Sequence, residues 1–253
     1  MSFIQQVTAI PVIGLPEFVS GDDVGALILS RCEVNGTPLI ADDLVVVSQK
    51  IVSKAEGAVQ FVSEQVPTSD AHKLAQIVDK DPRLVQIVLD QSVRVVRAVP
   101  GVLIVETHQG FICANAGVDH SNIADDDAVT TLPEDSDLSA RAILDTLVGA
   151  TGLRLGLLVT DTFNRAWREG SINVGIGIAG FDPLRDLRGT TDDFEREMLA
   201  TTVSLADEVA SAAQLVTGES GRIPAAIVRG IVWESGDFSS SRMLRPSERD
   251  LFR

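Results

Sequence analysis

The hydrophobic positions of this chain follow two periods, one typical of strands and one typical of helices, without a regular strand–helix repeat. A turn at residues 107–110 predicts a β-hairpin. A buried strand is predicted at residues 155–160, and we expect it to end at Thr160, Asp161 and Thr162. The other short apolar runs predict strands at residues 44–47, 93–96, 102–105, 111–114 and 225–233.

Two short helices are predicted in the first half of the chain from apolar residues three and four positions apart. Thr68 or Ser69 can cap the first of them. Asp81 and Pro82 start the second, because proline is tolerated in the first turn of a helix. We expect each helix to pack one apolar face on the core.

Two further helices are predicted in the second half. One covers residues 138–148, with Gly149 and Gly152 available to end it. The longest helical pattern covers residues 191–216. Its apolar side is formed by Phe194, Met198, Leu205, Val209, Ala212 and Val216.

The order of these elements predicts an α+β fold with mixed β-sheets. The chain has no internal repeat, low-complexity tract or obvious linker. With 253 residues it is long enough to bury a substantial core. We therefore expect a single domain, residues 1–253, made of two intimately connected lobes.

Composition and charge narrow the function classes. Hydrophobic residues make up 45% and charged residues 23%, which is typical of a globular protein. No apolar run approaches the ~18 residues of a membrane helix, and no signal pattern opens the chain. The two cysteines are too few for a disulfide framework, so we expect a reducing cytoplasm. A net charge of −15 argues against nucleic acid but not against a small anion bound in a cleft.

The segment at residues 155–170 carries the strongest chemical signal. Asp161 follows an apolar strand, and Arg165, Trp167 and Arg168 come shortly after it. A hard oxygen ligand followed by cations is suited to a metal-bound phosphoryl group. The alternative is a turn in which Asp161 caps the next segment and the arginines are solvated.

A second acidic cluster, AGVDHSN, follows the predicted hairpin. Asp119 is a candidate ligand for a hard metal ion, and Asn122 could bind a ligand oxygen or a base edge. The same composition also favours a simple Asx turn. His120 is expected to be an exposed loop residue rather than a ligand.

The segment VVVSQKIVSKAEG carries a pair of candidate phosphate-binding lysines. If the segment is helical, Lys50 and Lys54 lie on one face and could offset the charge of a triphosphate. Lysines on a surface helix are more often solvated, and Glu56 could pair with one of them.

A glycine-bearing loop, VTGESGRIP, follows the longest predicted helix. Gly218 could be the C-cap of that helix, or the loop could wrap a nucleotide with Glu219 and Arg222. The loop lacks the glycine–lysine–serine pattern of a Walker A motif. NVGIGIAG, at residues 173–180, has the wrong glycine spacing for a dinucleotide fingerprint.

Taken together and in this order, these clusters resemble the coenzyme F420-0:L-glutamate ligase family. The segments that carry the resemblance are IPVIGLPEF, VVVSQKIVSKAEG, ETHQGFICANAGVDHSN, VTDTFNRAWREG and ADEVASAAQLVTGESGRIPAAIVRG. It covers residues 10–252 and implies an unusual α+β fold of two interwoven lobes that forms a homodimer. It also implies γ-linked addition of L-glutamate to coenzyme F420-0, and to F420-1, with GTP as co-substrate. The divalent metal would be Mg²⁺ or Mn²⁺, two ions in number, with K⁺ as an additional candidate.

The resemblance also assigns roles to individual residues. It implies metal ligands at Asp119, Asp161, Thr162 and Glu219. It implies nucleotide contacts at Leu15, Pro16, Glu17, Phe18, Gln49, Lys50, Lys54, Asn122, Thr217, Gly218, Glu219, Ser220, Gly221, Arg222, Ile223 and Pro224. Three residues depart from the family pattern: Asn164 replaces a usual glycine, while Ser171 and Glu219 replace usual glutamines.

The chemistry of phosphoryl transfer suits this residue set, since positioning and charge neutralisation dominate it. We expect Asp161, Lys54 and either Arg165 or Arg168 to take part in catalysis. The rival hypotheses are a guanine-nucleotide-binding regulatory protein without ligation and a catalytically idle dimerisation module. Some family members carry a flavin-binding domain after the ligase portion, and we expect none in this sequence, which stops at Arg253.

Overall fold

A computed structural model describes residues 6–120 and 125–250 of the chain. The helices are α1 (Val24–Val34), α2 (Gln49–Glu56), α3 (Ser69–Val78), α4 (Pro82–Asp90), α5 (Ser136–Thr151) and α6 (Leu205–Thr217). The first six strands are β1 (Thr8–Pro11), β2 (Leu44–Ser48), β3 (Val59–Phe61), β4 (Ser92–Val99), β5 (Val102–Thr107) and β6 (Ile112–Ala114). The remaining strands are β7 (Ala128–Thr130), β8 (Gly156–Arg165), β9 (Arg168–Ala179), β10 (Leu184–Asp186), β11 (Thr202–Ser204) and β12 (Ala225–Arg229).

A five-stranded mixed sheet forms the centre of the molecule, with the strand order β1-β12-β2-β8-β9. Strands β2 and β8 run parallel, and the other neighbours are antiparallel. Because side chains alternate along a strand, Val45 and Val47 of β2 face one core while Leu44 and Val46 face another. Helices α1, α2 and α5 pack on the first face and α6 packs on the second. Burial on both faces explains why β2 and the first half of β8 are continuously apolar.

A smaller unit lies beside the central sheet. Strands β4, β5 and β6 form a three-stranded antiparallel sheet. Helices α3 and α4 pack against β4 and β5 around a third apolar cluster that includes Val78, Val88 and Val105. The predicted α+β class with mixed sheets is confirmed by this arrangement. No helix among the described residues is both long enough and apolar enough to cross a bilayer.

The predicted helix caps are confirmed for the shorter helices. The Thr68 side chain accepts from the backbone N–H of Ala71, and the Asp81 side chain accepts from the backbone of Arg83. Gly152 adopts the left-handed conformation at the end of α5. The predicted hairpin is also present, since β5 and β6 flank the turn at residues 107–110.

The long helix predicted at residues 191–216 is wrong in its first half. Helix α6 begins only at Leu205, where the Ser204 side chain caps it. The Asp192 carboxylate accepts from the backbone N–H groups of Phe194 and Arg196, and this turn replaces the helical ladder. Phe194 is 77% exposed, so its helical spacing does not mark a buried face.

The predicted end of the strand at Thr160 is also wrong. Strand β8 continues through Asp161 to Arg165 and pairs with β9 as a long hairpin, with register shifts along the ladder. The apolar run stops because one face of the hairpin becomes exposed beyond Thr160, at Thr162 and Asn164, while Phe163 on the other face still packs on the first core. The strand predicted at residues 225–233 ends earlier, at Arg229, because Gly230 turns the chain with a φ of 88°.

The glycines of NVGIGIAG serve close packing inside β9. A Cβ atom on Gly177 would lie 2.2 Å from the carbonyl oxygen of Ser136. The absence of a side chain therefore lets the first turn of α5 pack directly on the strand.

Candidate functional site

A cavity of about 490 Å³ opens where β2 ends and β8 leaves the core. Its walls are the loop at residues 15–18, helix α2, the segment at residues 113–119, the β8–β9 hairpin and the loop at residues 217–224. These segments are far apart in the sequence, and the mixed sheet brings them together. The volume suits a small-molecule ligand.

Helix α2 presents two lysines to this cavity. The Ser48 side chain, at the end of β2, accepts from the backbone N–H of Lys50 and starts the helix. Lys50 and Lys54 are one turn apart and both line the cavity, which confirms that the two amines share a face. Only 9% of Lys54 is exposed, and it forms an ion pair with Glu17 of the opposite wall. The cavity therefore contains a nearly buried cation whose charge is balanced by a carboxylate of the opposite wall.

The two predicted metal-binding aspartates lie in the same cavity. Asp119 forms an isolated bridge with Thr130, and its carboxylate accepts from Lys50 Nζ at 2.8 Å. Asp161 lies on β8, where burial raises the pKa of its carboxyl to about 6. The backbone N–H of Thr162 and the charge of Lys50 lower this pKa, while the charges of Asp119 and Glu219 raise it. Asp161 is thus a partly desolvated carboxylate whose negative form a cation would stabilise.

The oxygen donors of this cavity fit a divalent metal that is shared with a phosphate ligand. Asp119, Asp161 and Glu219 all line the cavity. Within residues 6–120 and 125–250, however, no three acidic, histidine or cysteine side chains form a closed metal-binding group. Mg²⁺ commonly uses one or two carboxylates and completes its shell with water and substrate phosphates. The observed set fits that mode rather than an all-protein cage.

A hydrogen-bonded ring connects the hairpin to the end of α6. Thr162 Oγ1 lies 2.8 Å from Asn173 Oδ1 and 3.2 Å from Glu219 Oε1, and its single proton can serve either acceptor. Gln214 Nε2 donates to the same Glu219 oxygen at 2.6 Å. Asn173 closes the ring through its backbone N–H, which donates to Gln214 Oε1 at 2.9 Å. Glu219 is therefore contacted by side chains of α6 and β8, and β9 orients the Gln214 amide through the backbone N–H of Asn173.

The loop after α6 contributes most of its predicted residues to the cavity. Gly218 is the C-cap of α6, as one interpretation of the sequence expected. Ser220 and Gly221 do not line the cavity. The members that do are Thr217, Gly218, Glu219, Arg222, Ile223 and Pro224, and the opposite wall contains Leu15, Pro16, Glu17 and Phe18.

The structure keeps several predicted residues away from the cavity. Gln49 is 2% exposed, and its amide donates to Ser53 Oγ and to the carbonyl of Thr131. The amide N–H groups of Gln49 are therefore used inside the core, and its expected nucleotide contact stays a prediction. Asn122 lies outside the described residues.

Arg165 and Arg168 lie at the tip of the β8–β9 hairpin and do not line the cavity. The Arg165 guanidinium donates to the backbone carbonyls of Glu169 and Gly170, so it stabilises the turn. The interpretation of these arginines as phosphate ligands of this cavity is not supported by their positions. Trp167, between them, is 85% exposed and has a φ of 66°.

Asn115, Asn173 and Cys113 also line the cavity, although no sequence pattern singled them out. Asn173 is paired with Thr162 in the β8–β9 ladder, so recognition of NVGIGIAG as a strand would have found it. Burial, with a smaller contribution from Asp161, raises the pKa of the Cys113 thiol to about 12. Cys113 is therefore not a thiolate nucleophile at neutral pH.

Asn164 and Ser171, the two hairpin residues that differ from the family pattern, contact each other. Ser171 Oγ donates to Asn164 Oδ1 at 2.8 Å across the strands. Asn164 lines the cavity, whereas Ser171 does not. The two residues therefore form a cross-strand pair and should be considered together.

Comparison with known proteins identifies similar sequences along nearly the whole chain. The sequence model of the family described as F420-0:Gamma-glutamyl ligase matches residues 12–230. The chain is 41% identical over 250 residues to a coenzyme F420:L-glutamate ligase of Methanothermobacter thermautotrophicus, covering 98% of this chain and 99% of the relative. Coenzyme F420:L-glutamate ligases of Methanocaldococcus jannaschii (36% identity, 99% of each chain) and Methanopyrus kandleri (40% identity, 92% of each chain) are also similar.

Proposed function

The chain belongs to the F420-0:gamma-glutamyl ligase family, and we propose that it adds L-glutamate to coenzyme F420-0, and to F420-1, with GTP as co-substrate. Family membership makes it a ligase enzyme. The observation that carries the finer proposal is the cavity in which Lys50, Lys54, Asp119 and Asp161 meet. We also propose that it shares the interwoven two-lobed fold and the homodimer of the family.

Amide formation from a free carboxylate is uphill, so the acid must first be activated. In the proposed reaction a carboxylate oxygen of the acceptor attacks the γ-phosphorus of GTP, and the bond to the β-phosphate oxygen breaks, releasing GDP. The amine of L-glutamate then attacks the acyl phosphate. The C–O bond breaks, inorganic phosphate leaves with that oxygen, and the amine loses a proton to solvent. The protein contributes orientation and charge neutralisation.

Asp119, Asp161, Thr162 and Glu219 are the residues that would hold divalent metal, Mg²⁺ or Mn²⁺. When bound, the metal supplies positive charge to phosphate oxygens that the carboxylates alone would repel. A bare cluster of carboxylates would exclude a triphosphate, because like charges repel strongly in a partly desolvated cavity.

The lysines of α2 supply the remaining positive charge. Lys50 lies next to Asp119 and Lys54 lies next to Glu17, so each ammonium is held at the cavity wall by a carboxylate. We propose that phosphate oxygens share these ammonium groups with the two carboxylates. Arg222, on the loop after α6, forms no ion pair with the described residues and could add a third cation.

We propose that the hairpin tip contacts the partner subunit of the homodimer. Trp167 is a large, nearly fully exposed aromatic side chain flanked by Arg165 and Arg168. Exposed aromatic and arginine residues are enriched at protein interfaces. In a homodimer these arginines could serve a partner rather than their own cavity.

The test is GDP release by the purified chain in the presence of Mg²⁺, GTP, L-glutamate and coenzyme F420-0. We expect release that requires glutamate and F420-0 together. A regulatory protein would bind GTP without that double requirement, and an idle module would bind none. Either result would overturn the proposal. Acceptor labelled with ¹⁸O in its carboxylates should transfer one ¹⁸O to phosphate, and unlabelled phosphate would exclude the acyl phosphate.

A further inference from the structure

We propose that Gln214 is a positioning residue that holds the Glu219 carboxylate at the metal end of the cavity. This inference rests on the proposed function, because it concerns how the chain prepares its oxygen ligands for a divalent cation. Gln214 itself does not line the cavity. It lies on α6, five positions before Glu219, and contacts the Glu219 carboxylate from outside the cavity.

The orientation of the Gln214 amide is determined by its neighbour. The backbone N–H of Asn173 can only donate, and it lies 2.9 Å from one end of the amide, which must therefore be Oε1. The other end is then the NH₂ group, and it lies 2.6 Å from Glu219 Oε1. Gln214 is thus held by strand β9 so that it donates to a carboxylate.

The β8–β9 hairpin contacts the same Glu219 oxygen through a hydroxyl that also lies within hydrogen-bond distance of Asn173 Oδ1. Thr162 Oγ1 lies 3.2 Å from Glu219 Oε1, and Thr162 and Asn173 are directly paired in the β8–β9 ladder. From the described residues, Glu219 receives both contacts on Oε1. Its Oε2 therefore remains available for a cation, while Oε1 fixes the direction of the carboxylate.

Glu219 needs this tether because its surroundings do not otherwise hold it. It lies on the exposed loop that begins at Gly218, and it carries the same charge as Asp161. The two carboxylates line the same cavity, where like charges repel each other. A flexible glutamate in this position would turn toward solvent unless a donor held it. Residues behind metal ligands commonly orient them in this way.

The experiment measures Mn²⁺ binding to the full chain, with the metal alone as the probe. The electron paramagnetic resonance signal of the free ion reports how much Mn²⁺ remains unbound. We compare the wild type with Gln214→Leu, which removes the donor but keeps a similar volume. Ser211→Ala is the matched control. Ser211 is also on α6, and its Oγ donates to the backbone carbonyl oxygen of Asn173 at 3.4 Å, but it does not contact Glu219. A Gln214→Asn variant keeps the amide but shortens its reach. It serves if Gln214→Leu fails to fold.

We expect Gln214→Leu to weaken Mn²⁺ binding about 10-fold, the lower range for loss of a residue behind a metal ligand. Ser211→Ala should leave Mn²⁺ binding unchanged. In a Glu219→Ala background, Gln214→Leu should have no further effect, because the carboxylate it orients is gone.

Two results would overturn the inference alone. One is a wild-type Mn²⁺ affinity in Gln214→Leu. The other is a loss of Mn²⁺ affinity on Gln214→Leu that is equal in the wild-type and Glu219→Ala backgrounds. A purely structural role would lower the melting temperature in both backgrounds without this dependence on Glu219. Absence of Mn²⁺ binding by the wild type would instead overturn the proposed metal use, and this inference with it.

Discussion

Asp161 is the residue on which most of the proposed chemistry depends. Asp161→Asn keeps the shape of the side chain and removes the negative charge. We expect the glutamate-dependent release of GDP to fall by at least about 100-fold, as is usual when a central electrostatic group is lost. Folding should be retained, because burial raises the pKa of this carboxyl and its charged form is costly in the metal-free protein. Melting curves without metal provide the control, and near-normal turnover would remove Asp161 from the site.

Lys54 tests the role of the nearly buried cation. In Lys54→Met the ammonium is lost, and its partner Glu17 is 71% exposed and can be solvated, so we expect a folded protein. The KM for GTP should rise about 10- to 100-fold, which corresponds to a hydrogen bond with a charged group. Lys73→Met, at a solvated lysine of α3, is the matched control and should not change KM. Equal KM values for the two variants would contradict the assignment.

Among the elements, strand β9 depends most strictly on glycine. Gly177→Ala would place a methyl group 2.2 Å from the Ser136 carbonyl and force α5 away from the sheet. We expect the free energy of unfolding in urea to fall by about 1–3 kcal/mol or more. Gly149→Ala in α5 is the control with the opposite expected sign. Its new Cβ atom would meet nothing within 4 Å outside the local helix backbone, so helix propensity should raise stability by up to about 1 kcal/mol. Full stability of Gly177→Ala would show that α5 does not pack closely on β9.

The elements also show which sequence signals were reliable. Caps such as Thr68, Asp81 and Gly152 act within one turn of the chain, and these were predictable. The apolar spacing from Phe194 onward was misleading, because periodicity does not distinguish a buried face from an exposed loop. The end of β8 was misplaced for a related reason: a hairpin that leaves the core loses its apolar pattern while its backbone pairing continues.

At the scale of the whole molecule, the sequence indicated which residue types could form the site but not which distant residues come together in space. Lys50 and Lys54 could be placed on one face from their spacing alone. The pairing of Lys50 with Asp119 joins residues 69 positions apart, which no local pattern reveals. Conversely, Arg165 and Arg168 are close to Asp161 in sequence but lie at the hairpin tip, because a strand carries residues away from one another at ~3.3 Å per position.

The protein carries a net charge of −15, and its cavity contains charges of both signs. Lys50, Lys54 and Arg222 line it together with the carboxylates Glu17, Asp119, Asp161 and Glu219. A small anion responds to this local field rather than to the total charge. The proposed divalent metal would make the local balance positive, so that an anionic substrate could bind even though a nucleic acid would be repelled.

The central claim is that this chain extends coenzyme F420-0 with glutamate. Its most direct test is mass spectrometry of the deazaflavin product after incubation with GTP, L-glutamate and Mg²⁺ or Mn²⁺. We predict one or more increments, each equal to a glutamate residue, that are absent with Asp161→Asn. An unchanged F420-0 mass with the folded wild type, whichever nucleotide and metal are supplied, would contradict the account.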